Sequence, residues 1–76
     1  MVELEKDQWN FILYDDDGVL ILNVLCGSVG LFELNYILDM NEIENYKTRG
    51  VDYIRELARR VNHNPKNVPS YKLRPS

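Results

Sequence analysis

Apolar and polar positions divide the chain into two regimes. Gln8-Trp9-Asn10-Phe11-Ile12-Leu13-Tyr14 and Val19-Leu20-Ile21-Leu22-Asn23-Val24-Leu25 are dense in aromatic and branched side chains, which favour strands. Asp15-Asp16-Asp17-Gly18 lies between them, and Asp and Gly tolerate the positive φ of a tight turn, so the two runs predict a hairpin. A register centred between Asp16 and Asp17 sets Asn10 opposite Asn23. Parity then gathers Trp9, Phe11, Leu13, Leu20, Leu22, Val24 and Cys26 on one face, the predicted core face. Asn10, Ile12, Tyr14, Val19, Ile21, Asn23 and Leu25 fall on the other.

Gly27-Ser28-Val29-Gly30 predicts the next turn, and Leu31 to Leu38 a third strand. Phe32, Leu34, Tyr36 and Leu38 join the core, while Leu31, Glu33, Asn35 and Ile37 point away. Val2 and Leu4 leave a fourth, edge strand open. After Leu38 the period lengthens to three and four, through Ile43, Tyr46, Gly50, Ile54, Leu57 and Val61. Asp39 with Glu42 forms a capping-box pair, and Leu38 with Ile43 a hydrophobic staple, which favours Asp39 over Asn41 as the helix start. Gly50 on the apolar stripe predicts a close approach of helix and sheet. Asp52, Arg55, Glu56, Arg59 and Arg60 line the exposed side, with Glu56 and Arg60 spaced to pair. Pro65 ends the helix. The expected fold is α+β: a three-stranded antiparallel meander, four-stranded if Val2 and Leu4 add the edge strand, packed on one long C-terminal amphipathic helix. Residues 1–64 form the single domain, and 65–76 an extended, proline-containing tail.

Size sharpens this picture. Seventy-six residues are near the lower limit for a self-sufficient core, so disulfides, a metal, association or close packing must contribute. Cys26 is the only cysteine and His63 the only histidine, which excludes an internal disulfide and a His/Cys zinc set. A lone thiol fits a reducing compartment, and the N-terminus is acidic with no apolar stretch after it. A cytoplasmic chain with no membrane span is therefore expected.

Charge is asymmetric. Residues 1–46 hold ten acids and one base, Lys6, and residues 47–76 hold eight bases and two acids, for a net −3. Fold-back that lets the halves neutralise each other is the expected outcome, with steering of a charged partner the alternative.

No catalytic, cofactor or metal site is expected. Asp15-Asp16-Asp17-Gly18 lacks the alternation and the distal Glu of an EF-hand loop, and reads as an acidic hairpin tip. Cys26 and His63 are the only nucleophile and base available, and each has an ordinary structural place. Gly27-Ser28-Val29-Gly30 lacks the lysine of a phosphate-cradling loop. Arg55, Arg59, Lys66, Lys72 and Arg74 with Tyr71 offer a basic stripe, but a pI near 5 makes nucleic acid an unlikely partner.

The outer sheet face carries the functional expectation. One helix covers one face, yet Ile12, Tyr14, Val19, Ile21, Leu25, Leu31 and Ile37 point to the other, against few polar neighbours. The tail, a second copy of the chain or a different protein are the three possible covers. Leu13-Tyr14-Asp15-Asp16-Asp17-Gly18, then Val24-Leu25-Cys26-Gly27, then Glu42, Tyr46, Gly50 and Leu57-Ala58 on the helix resemble small bacterial immunity-type proteins of toxin systems. That resemblance implies a stoichiometric protein partner rather than a substrate, and assigns no functional residue. A non-enzymatic protein-binding module is expected, with a homodimeric structural or regulatory protein as the alternative.

Overall fold

The computed structural model describes residues 2–7, 10–26 and 32–74. Four antiparallel strands run in sequence order: β1 (Val2–Asp7), β2 (Phe11–Asp16), β3 (Val19–Cys26) and β4 (Phe32–Ile37). Two helices follow, α1 (Met40–Arg49) and α2 (Val51–His63), then 3-10 turns at Pro65–Asn67 and Ser70–Lys72. The α+β class holds, with four strands rather than three. Among the described residues no helix is long and apolar enough to cross a membrane. The predicted strand start at Gln8 and Trp9, the turn Gly27 to Gly30, and Leu31 lie outside the described residues.

The β2–β3 hairpin closes through Asp17 (φ 55°) and Gly18 (φ 91°), two consecutive positive-φ residues that match the twist of the flanking strands. The Gly18 N–H donates to Asp15 Oδ1 at 2.9 Å. This two-residue loop sets Asp16 opposite Val19 and Ile12 opposite Asn23, so Asn10 does not face Asn23 as predicted. Asn23 instead lies opposite Asn35 of β4, and its Nδ2 donates to Asn35 Oδ1 at 2.9 Å. The shift is an even number of residues, so every side chain keeps its predicted face.

β1 is the edge strand the chain left open. Its Val2-Glu3-Leu4-Glu5-Lys6-Asp7 sequence carries little apolar alternation, and pairing along β2 with an irregularity between Glu3 and Glu5 places it. Charges and a bulge on an edge strand discourage pairing with other chains.

The inner face carries the core. Leu13, Leu22 and Ile54 are completely buried, with Phe11, Val24, Cys26, Tyr36 and Leu38 from the sheet side and Tyr53, Leu57, Ala58 and Val61 from α2. Each such aliphatic burial contributes about 1.5–3 kcal/mol. Phe32, predicted to join them, is 45% exposed at the start of β4.

The expected single helix is two, because Gly50 has φ 74° and ψ −152° and cannot continue an α-helix. The close approach predicted at Gly50 is absent: a Cβ built there meets nothing within 4 Å. Glycine serves here to break the helix. The break turns α2 so that Tyr53 and Ala58 join its apolar stripe, and brings Arg49 of α1 within 2.8 Å of Glu56. Glu56 therefore pairs with Arg49, in place of the predicted Arg60. The capping box at Asp39 forms as predicted, and α2 ends at His63 before Pro65.

The tail is less extended than predicted. Pro65 and Pro69 fix φ at the values turns require, and the chain passes through two 3-10 turns before Leu73 makes one antiparallel bridge to Tyr36.

Strain, not crowding, sets the cost of replacing Gly50. Gly50→Ala and Gly50→Leu should each lose about 1–3 kcal/mol in urea unfolding, because both force the same disfavoured φ and ψ. A leucine penalty far above the alanine one would restore the crowding explanation.

Candidate functional site

The outer face is organised in lateral rows by the strand registers. Glu3, Tyr14, Ile21 and Ile37 form one row from β1 to β4, and Lys6, Ile12, Asn23 and Asn35 the next. Leu25 lies opposite Glu33 at one end and Val19 opposite Asp16 at the other. Of the predicted face residues, Val19 is exposed (43%), while Ile12, Tyr14, Leu25 and Ile37 are half-buried. Ile21 is only 2% exposed and stands outside the inner core cluster. Leu31 lies outside the described residues.

Arg74 docks against β4, its N–H donating to the Asn35 carbonyl at 2.8 Å, and its guanidinium forms an ion pair with Asp16 on β2. Between those anchors the side chain reaches from the β4 edge to β2. The tail thus covers one corner of the outer face, and Ile12, Tyr14, Val19 and Leu25 flank the covered part.

Lys72 holds the other side of the β4 edge. Its Nζ donates to Glu42 Oε1 at 2.7 Å, Tyr36 Oη at 2.6 Å and Asp39 Oδ2 at 3.1 Å. Tyr36 in turn donates to Glu42 Oε2 at 2.5 Å. The same carboxylates cap α1: Glu42 N–H donates to Asp39 Oδ1 at 2.9 Å, and Asp39 N–H to Glu42 Oε1 at 2.8 Å. One ammonium therefore ties the tail, β4 and the start of α1 together, with 14% of the Lys72 side chain and 13% of Glu42 exposed.

The electrostatics follow from this geometry. Burial works against the Lys72 charge, but hydrogen bonds to Glu42, Tyr36 and Asp39 outweigh it and raise the ammonium pKa. Burial, and then the bond to Glu42, push the Tyr36 phenol up. The Glu42 N–H holds the Asp39 carboxyl below its ordinary value, with Lys72 adding to the effect. Sequence reading placed Tyr36 in the core, Glu42 in a cap and Lys72 in a tail. It had no signal that the three meet, because their contact spans thirty-six residues of chain.

The remaining candidates are dispersed. Cys26 is buried, donates weakly to the Val24 carbonyl at 3.7 Å, and has its thiol pKa raised by burial, the opposite of an activated nucleophile. His63 is exposed beside a groove of about 610 Å³ between α2 and the β2–β3 end of the sheet. Arg55 and Arg59 of the predicted basic stripe also line that groove, whereas Lys72 and Arg74 are engaged in the ion pairs above. Among the described residues the expected neutralisation between the two halves amounts to those pairs; Arg55 and Arg49 bind acids of the second half. No protein-family model, curated protein or solved structure matches the chain.

The pKa shifts predict the pH response. Asp39 is depressed in the folded state, so its contribution is present above the ordinary carboxylate range and is lost as pH falls through the folded value. Lys72 and Tyr36 are raised, so theirs is full below about pH 10 and is lost at higher pH. Stability by urea titration should be level between these limits and fall below about pH 4. Lys72→Met should cost about 1–3 kcal/mol at pH 7 by leaving Glu42 and Tyr36 short of a partner. An Asp39→Asn chain that keeps the full acid-induced loss would assign that loss to other carboxylates.

Proposed function

We propose that the chain is a non-enzymatic protein-binding module whose outer sheet face receives one partner protein. It would act as immunity-type proteins do, by holding that partner stoichiometrically. The observation that supports this reading is the row structure of the face. Tyr14, Ile21 and Ile37 form an apolar centre, Ile12, Val19 and Leu25 extend it, and both helices lie on the opposite side. Burying such a patch against a complementary surface is the ordinary source of protein–protein affinity.

Charge favours a different protein over a second copy. On this face the registers place three acidic side chains, Glu3, Asp16 and Glu33, against one strand base, Lys6. Two such faces brought together by a two-fold axis would oppose like charges, whereas a partner with a basic rim around an apolar patch would be attracted and oriented. Arg74 on Asp16 already shows a cation satisfied on this face.

Ile21 is too buried to serve as a surface probe, since a charge there would test folding as much as binding. Val19→Lys and Ile12→Lys place a cation on the accessible part of the face and should change stability by about 1 kcal/mol or less. The wild-type chain should sediment as a monomer and form a one-to-one complex with a protein from native lysate. Either substitution should weaken that complex about tenfold or more while leaving the helical circular dichroism unchanged. A wild-type dimer dissociated by the same substitutions would replace this reading with the homodimer.

A further inference from the structure

We draw no further inference here: the strongest candidate, the groove between α2 and the β2–β3 end of the sheet, lined by Arg55, Arg59 and His63 of α2 and by Asp7 and Asn10, adjoins residues 8 and 9, which lie outside the described residues, so nothing in the structure shows what occupies it.

Discussion

A chain of this length has enough helix to cover one face of its sheet and no more. Its α2 stripe, centred on Ile54 and Leu57, is committed to the inner face, where Leu13 and Leu22 are fully buried. Everything else in the molecule answers to that commitment. The second face must be handled without a helix, and the tail, which packs on the core through Val68, needs further anchors. With one cysteine and no possible internal disulfide, polar contacts and short-range packing take that role.

The Lys72 clamp shows how this is done at small cost in sequence. Asp39 and Glu42 are needed as a helix cap whatever the tail does, and Tyr36 is needed as an inner-face strand residue. Together they leave a pocket of oxygens at the β4 edge, and a single lysine satisfies it. Cap, strand and tail therefore stand or fall with the same few hydrogen bonds. Shielding from water makes those bonds stronger than their exposed counterparts at Arg49–Glu56 and Arg55–Asp52. Arg74 extends the arrangement to the outer face, where it forms an ion pair with Asp16.

This partial cover also frames the functional reading. On the outer face Val19 is exposed and Ile12, Tyr14, Leu25 and Ile37 are half-buried, with Arg74 reaching across from the β4 edge to Asp16. A partner of the kind proposed would meet Val19 and Ile12 beside Glu3, Glu33 and Lys6.

Much of the fold was legible in the chain because the deciding forces are local or periodic. Strand parity placed Phe11, Leu13, Leu22 and Val24 inside and Ile12, Tyr14 and Val19 outside, and an even register shift left that assignment intact. Asp39, Glu42 and Pro65 marked the helical region through bonds made within a few residues. The hydrophobic stripe did not reveal that Gly50 splits that region, since glycine fits either a close approach or a positive φ, and only the backbone path distinguishes them. β1 carried too little apolar alternation to identify, because main-chain pairing along β2 holds it in place. The tail was the least legible part. Lys72 and Arg74 find Glu42 and Asp16 across thirty and fifty-eight residues, and no spacing rule connects charges that only the folded chain brings together. Sequence alone determined which side chains share a face; tertiary structure decided what covers each face, because coverage depends on where distant segments end up.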